Sequence, residues 1–301
     1  MSWTAEQIPD QTGRTFVVTG ANSGLGLATT RALAHKGAHV ILAVRDQTRG
    51  RRAVEDISIT WPGAHLEVRR LDLADPQSVH AFADRLCSDL GRLDVLVNNA
   101  GVMAPPRTLT PQGHELQFAA NHLGHFALTG LLLDLLAKGN DPRVVTVTSP
   151  NHRKAQIFFD DLTGERNYSP MKFYNQSKLA NAISGWELHR RLTAAGSPVR
   201  SVLAHPGYTS TNLQTSAPSG MVKLLYGHVL APLAQTPDRG ALPQLYAAVA
   251  PNLDSGHFFG PDGIAELRGA PTRLQLAPTA TNPETGRRLW ELSEQLTDYH
   301  S

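Results

Sequence analysis

Four polar residues could carry proton chemistry in this chain. Tyr174 and Lys178 stand four positions apart in "YNQSK", at the start of a helical stretch. Four residues make about one helical turn, so both side chains share a face. A tyrosine has an ordinary pKa of about 10 and exchanges protons poorly at neutral pH. A neighbouring ammonium favours the phenolate and makes the phenol a usable general acid–base. Ser149 closes the run "RVVTVTS", at a strand end of the kind beyond which open parallel sheets bind ligands. Asn121 sits in "AANHLGHF", inside a helical pattern that an amide does not favour. The pair alone would also suit an amphipathic helix surface; the convergence of four groups points to chemistry.

A second group of residues could hold phosphates and a nucleoside. "TGANSGLG" places Gly20, Asn22, Ser23, Gly24, Leu25 and Gly26 between an apolar strand and a helix. Glycines there admit a pyrophosphate to the backbone, and the helix N-terminus supplies N–H donors. The spacing is G-x-x-x-G-x-G, which departs from the common G-x-G-x-x-G fingerprint. The second strand ends in "AVRDQTRGRR". An acid at that end would accept from a ribose 2′-hydroxyl, whereas Arg45 pairs with a 2′-phosphate, so NADP(H) is expected over NAD(H). Arg49 belongs to the same basic cluster, in which Arg51 and Arg52 fit a solvated helix face. "LDL" brings Asp72 and Leu73 to the end of the third strand, where Asp72 either meets the adenine amino group or caps the helix before Pro76. In "NNAG", Asn99 suits the fixing of strand-end carbonyls, and the small Ala100 and Gly101 let a sugar lie against the backbone.

Short β-branched runs must position these residues. Strands are predicted at 15–20, 39–44, 65–73, 93–101, 143–149 and 199–207, separated by helices that include long ones over 111–137 and 171–195. The strands read as continuous apolar runs, covered on both faces. Strand–helix alternation with short links predicts an α/β fold: a doubly wound parallel sheet in one domain over 1–301. A substrate lid is expected at about 208–240, a last short strand at "GHFFGPDG" and a terminal helix at about 280–301. Met103, Pro105, Phe158, Phe159, Phe173, Met221, Leu225 and Tyr226 are expected pocket walls, which suits a hydrophobic substrate.

Composition bounds the rest. With 41% hydrophobic and 18% charged residues in 301, the chain can build a large core. A net charge of +2 gives no reason to expect nucleic-acid binding. The single cysteine, Cys87, allows neither a disulfide framework nor a cysteine zinc site. His122 and His125 are three apart but lack a completing carboxylate set, so no metal is expected. His152 and His205 are expected to support the pocket, not to react. No apolar run reaches the ~18–20 residues that span a bilayer, and the first residues do not read as a secretory signal, so a cytoplasmic protein is expected.

Together these motifs resemble the short-chain dehydrogenase/reductase family. "TGANSGLG", "NNAG", "NHLGHF", Ser149, "YNQSK" and "HPGYTST" follow its order and spacing over about 12–265, and "RVVTVTSPNHR", "GALPQLYAAVAP" and "FFGPDG" are similar to its retinol-dehydrogenase-like and protochlorophyllide-reductase-like branch. The resemblance implies a Rossmann-type sheet and hydride transfer between NADP(H) and a carbonyl or alcohol carbon. It implies that Tyr174 exchanges the proton, Ser149 binds the same oxygen, and Lys178 binds the nicotinamide ribose and lowers the tyrosine pKa. It further implies that Asn121 holds a water linking Lys178 to solvent, that Thr209 contacts the nicotinamide carboxamide, and that Pro206 and Gly207 border it. Relatives assemble through the two long helices or stay monomeric, so a homo-oligomer and a monomer are both open. Pro150 departs from the pattern by removing an N–H beside Ser149. A non-catalytic dinucleotide sensor or scaffold, a C=C reductase and an epimerase-type tailoring enzyme are the alternative readings.

Overall fold

The protein is described by a computed structural model over residues 2–209 and 234–299. Eight strands form one sheet: β1 (Thr15–Thr19), β2 (His39–Val44), β3 (His65–Arg70), β4 (Val95–Asn98), β5 (Arg143–Val147), β6 (Arg200–Ala204), β7 (Phe258–Pro261) and β8 (Pro271–Leu274). Their spatial order is β3-β2-β1-β4-β5-β6-β7-β8. All neighbours pair in parallel except β7 and β8. The main helices are α1 (Gly24–His35), α2 (Gln47–Thr60), α3 (Pro76–Asp89), α4 (Leu116–Phe118), α5 (Gly124–Leu136), α6 (Pro170–Ala194), α7 (Leu242–Val249) and α8 (Pro283–Thr297).

The apolar strands are buried on both sides for a visible reason. Phe16 and Val18 of β1 enter a core shared with α1, α2 and α7. Val17 points the other way, into a core shared with α3, α5 and α6. Burial on both faces removes the need for polar alternation. β3 differs from that expectation: it is the sheet edge and is only partly covered. There Arg69 pairs with Glu67 at 2.7 Å and with Asp89 at 2.9 Å.

Side-chain caps set several helix starts. Asp46 accepts from the N–H groups of Thr48 and Arg49, and Asn282 from that of Thr285. Asp75 caps α3, with Pro76 in the first helical position, so the cap is not Asp72. The helix expected over 111–137 starts at Leu116, because Pro111-Gln112-Gly113 makes a turn instead. Gly113 has φ +84° and donates to Thr110 O at 2.9 Å. Glu115 then caps α4 by accepting from Phe118 N–H at 2.8 Å. A π-turn at Ala119–Leu123 joins α4 to α5. The sequence reading also ended the sheet one strand early. β8 has four residues and opens on proline, too weak a pattern to announce itself.

The expected terminal helix is α8, and it packs on α5 and α6. Trp290 meets Phe126 edge-on with ring centroids 4.8 Å apart, and Tyr299 fills the space a side chain on Gly130 would need. Most of the expected lid, residues 210–233, lies outside the described residues, as do Met221, Leu225 and Tyr226. On either side of that segment Thr209 and Gln235 form a parallel bridge.

Asp94 fastens the end of the sheet remote from the strand C-termini. It is fully buried and accepts from Thr15 N–H at 2.6 Å and Asn140 N–H at 2.5 Å. Replacing Asp94 by Ala strips an acceptor from both backbone donors and should lower the unfolding free energy by on the order of 2–3 kcal/mol. Urea denaturation measures this, and an unchanged midpoint would mean water replaces the carboxylate without loss.

Candidate active site

Sheet order reverses direction at β1 and β4, and a cleft of about 390 Å³ opens beyond their C-terminal ends. Gly20, Asn22, Ser23, Gly24, Leu25, Gly26, Arg45, Asp72, Leu73, Asn99, Ala100 and Gly101 all line it. Asp46, Arg49, Met103, Pro105, Leu116 and Ala120 complete much of the wall. Gly20 and Gly24 adopt φ +65° and +51°, the left-handed region that glycine enters freely. Gly26 meets a different demand. A Cβ there would strike Gly20 O and stand 2.7 Å from Asn99 Nδ2. Asn99 is itself pinned: its Nδ2 donates to Thr19 O at 2.7 Å, and its Oδ1 accepts from Gln244 of α7 at 3.2 Å.

At the far wall Asp46 and the arginines divide their work. The Asp46 carboxylate is spent on α2, accepting from Thr48 and Arg49 N–H at 3.0 and 3.1 Å. Those bonds hold its pKa below the usual carboxylate range. Arg45 and Arg49 line the same wall, and Arg49 Nε stands 3.4 Å from the Asp46 carboxylate. Asp72 folds back on its own turn, accepting from Ala74 N–H at 3.1 Å.

Asn121, Lys178 and Tyr174 gather at the other end. A Cβ built on Gly101 would stand 3.2 Å from Asn121 Oδ1 and 3.5 Å from Lys178 Nζ, so Gly101 joins the cleft to both. The Asn121 side chain, fully buried, clasps Val102: Oδ1 accepts from its N–H at 2.7 Å, and Nδ2 donates to its carbonyl at 2.9 Å. Nδ2 also donates to Ser177 Oγ at 2.9 Å, and that hydroxyl donates to Tyr174 O at 2.7 Å. Ser177 is a supporting residue that sequence reasoning passed over, although it lies inside "YNQSK".

Lys178 is buried and donates to Val147 O at 3.2 Å. Its ammonium lies 6.0 Å from the Tyr174 ring centroid. Burial pushes its pKa down to about 8, because the charged form loses hydration. Ser149 follows β5 and caps the short turn Pro150–Lys154, its Oγ accepting from Asn151 N–H at 3.3 Å. That turn packs on α6, the helix of Tyr174 and Lys178. Pro150 occupies the first position of the turn, where an N–H would have no intrahelical partner, so the departure is accommodated locally.

Beyond β6, Thr209 Oγ1 donates to Pro206 O at 3.0 Å. A Cβ on Gly240 would collide with Thr209 and stand 2.9 Å from Leu25 Cδ2, so the 206–209 loop meets the glycine turn there. Gly207, at φ +67°, leaves room for Leu267 O. His205 takes a bond from Gly207 N–H on Nδ1 at 3.1 Å, so its Nε2 carries the proton toward Glu266 at 3.0 Å. His152 is fully buried, held to Ser149 O by Nδ1 at 2.7 Å, and burial lowers its pKa to about 4.

The expected pocket walls are reached only in part. Met103 and Pro105 line the cleft. Phe173 is core instead, because position 173 of α6 turns inward to stack on Phe158 at 5.7 Å. Phe159 lies under the Arg288 guanidinium at 3.9 Å. Among the described residues no three His, Cys, Asp or Glu side chains gather as a metal-binding set. His122 bonds Ser293 at 2.8 Å instead.

Comparison with known proteins gives consistent matches. The family profile described as short chain dehydrogenase matches residues 14–221. Retinol dehydrogenase 13 of Homo sapiens is 39% identical over 290 residues, covering 94% of this chain and 84% of the relative. Retinol dehydrogenase 14 of Mus musculus is 39% identical over 295 residues, covering 94% and 85%. A crystal structure of an uncharacterized protein from Mycobacterium Paratuberculosis superposes with TM-score 0.83 at 44% identity, covering 100% of this chain and 99% of that one.

Burial of Lys178 makes stability depend on pH. Its folded pKa, about 8, lies below the ordinary 10.5, so the unfolded chain binds more protons between those values. Stability therefore rises with pH across that window, and the burial cost is fully present below it. Lys178→Met should stabilise the cofactor-free protein at pH 7 by on the order of 2–3 kcal/mol. Val147 O keeps a donor in Asn181 Nδ2 at 3.3 Å. Thermal melts between pH 7 and 10.5 would show the gain shrinking to nothing; a destabilised variant at pH 7 would contradict the account.

Proposed function

Since this chain belongs to the short-chain dehydrogenase family, in its retinol-dehydrogenase-like branch, we propose that it is an NADP(H)-dependent oxidoreductase interconverting a carbonyl and an alcohol on a hydrophobic small molecule. The observation that carries the reading is the placement of Tyr174 and Lys178 on one face of α6, with Gly101 between the lysine and the cleft.

The cleft residues fit a dinucleotide. Gly26 and Gly20 leave a wall without side chains where a pyrophosphate needs one, and the N-terminus of α1 opens on it. Arg45 and Arg49 would hold a 2′-phosphate, and the commitment of Asp46 to its helix favours that over a bare ribose hydroxyl. Asp72 and Leu73 would border the adenine, and Asn99, Ala100 and Gly101 the sugar. Bound there, a nicotinamide supplies or accepts the hydride.

The protein's own residues then handle the oxygen. Tyr174 gives its phenolic proton to the carbonyl oxygen in reduction and removes it in oxidation. Ser149 donates a hydrogen bond to the same oxygen, which stabilises charge that develops on it. The Lys178 ammonium favours the phenolate and so brings the tyrosine toward neutral pH. Asn121 braces the Tyr174 turn through Ser177. Pro206, Gly207 and Thr209 would close over the nicotinamide end. The relatives named for retinol make a long apolar aldehyde or primary alcohol the first substrate to try.

Two substitutions test this. Tyr174→Phe should lower kcat by about 10²-fold or more while leaving the NADPH dissociation constant nearly unchanged. Turnover of all-trans-retinal or a medium-chain aldehyde, followed by nicotinamide absorbance, reads it; an active variant would remove Tyr174 from the mechanism. Arg45→Ala should weaken NADPH by about tenfold or more and barely alter NADH. Equal losses for the two cofactors in fluorescence titrations would remove Arg45 as a phosphate ligand.

A further inference from the structure

We infer that His125 is a positioning residue, a neutral imidazole that locks the backbone of Asn121 to the turn ending β4 by one continuous hydrogen-bond chain. The inference rests on the proposed function for its kinetic consequence, not for its geometry.

His125 is the second residue of α5, just past the π-turn, and is 4% exposed. Its Nδ1 lies 2.9 Å from Asn121 O. A carbonyl only accepts, so Nδ1 carries the proton. In a neutral ring Nε2 must then accept. The group facing it is Thr19 Oγ1, at 2.9 Å. Thr19 has a single hydroxyl proton and two candidate acceptors, His125 Nε2 and Val97 O at 3.3 Å, and the histidine is nearer. With its proton turned to the ring, Thr19 Oγ1 accepts from both Asn99 N–H and Ala100 N–H, each at 2.9 Å. The chain thus runs from Asn121 O through His125 and Thr19 to two backbone amides of the cleft wall.

What it joins matters. Asn121 lies in a π-turn, where wider backbone bonding loosens the helical ladder. On the other side, the Asn99–Gly101 turn borders the cleft, and Gly101 faces both Asn121 Oδ1 and Lys178 Nζ. His125 therefore fixes the spacing between the helix face that meets Lys178 and the strand end that meets the sugar. It touches neither cleft nor substrate. A protonated ring would have no acceptor for a second proton unless Thr19 reversed its hydroxyl, which would release one backbone amide. Burial, with the Lys178 charge nearby, keeps the ring neutral, its pKa lowered to about 4.

The tautomer can be read in the unaltered protein, without turnover. Imidazole ¹⁵N shifts of uniformly labelled protein should show His125 protonated on Nδ1 only between about pH 6 and 9. A proton on Nε2, or a titration within that range, would overturn the inference. Two variants then divide the chain. His125→Asn keeps an N–H for Asn121 O and gives up Thr19, whereas Thr19→Val removes the hydroxyl at nearly constant volume. Each should lower kcat by about tenfold or more with substrate KM changed less than threefold, and the double variant should be little worse than either alone. A kcat preserved in folded single variants, or losses that multiply in the double, would sink the idea. Should the wild type show no turnover on any carbonyl, the proposed function fails, while the tautomer and the same cycle read in NADPH dissociation constants still decide the role of His125.

Discussion

The end of β1 and the end of β4 approach so closely that a Cβ on Gly20 would stand 3.0 Å from Ala100 Cα, and much of the site is arranged around that closeness. Gly26 sits against Gly20 O, and Asn99 fills the remaining gap with an amide bonded to Thr19 O. A parallel sheet reverses its winding at this point, so two loops leave it in opposite directions and a cleft is unavoidable. Small residues and one pinned amide line that gap.

The polar side chains nearby are stabilised as a group and strained as individuals. Lys178 gives up much of its hydration, and its pKa falls. His122 and His125 are buried enough that their pKa values drop to about 3 and about 4, so they serve as neutral hydrogen-bonding rings. Asn121 spends its amide on Val102 and Ser177. Helices α5 and α6, which carry His125 and Lys178, also give apolar residues to the cores on this side of the sheet. Low polarity strengthens each satisfied bond and makes each lost partner costly, and the side-chain donors of Asn121, Ser177, His125 and Lys178 are each paired.

Patterns with a local cause were legible in the sequence. Apolar runs gave six of the strands, and "TGANSGLG", "LDL" and "NNAG" gave the residues that line the cleft, because each motif is a strand end with a fixed local geometry. Contacts made at a distance were not legible. Nothing around Thr19 announces that its hydroxyl serves two amides some 80 residues away. Phe173 reads as pocket or core from sequence alike, and only the rotation of α6 sends it inward. Glu115 reads as helix interior, yet the glycine turn before it makes it a cap. β8 escaped notice because its pairing partner, not its composition, makes it a strand.

The helix α8 bears on when the site can exist at all. Ser293 bonds His122, which lies within the same π-turn as Asn121, and Trp290 packs on Phe126 one turn along. These contacts come from the last residues described, and they brace a turn belonging to the middle of the chain. During synthesis on a ribosome, the cleft wall built from residues 20–101 emerges early, whereas the brace behind Asn121 waits for residue 293 to clear the exit tunnel. The order of translation therefore separates the two halves of the site in time: the glycine-lined wall of the cleft precedes the braced turn that carries Asn121.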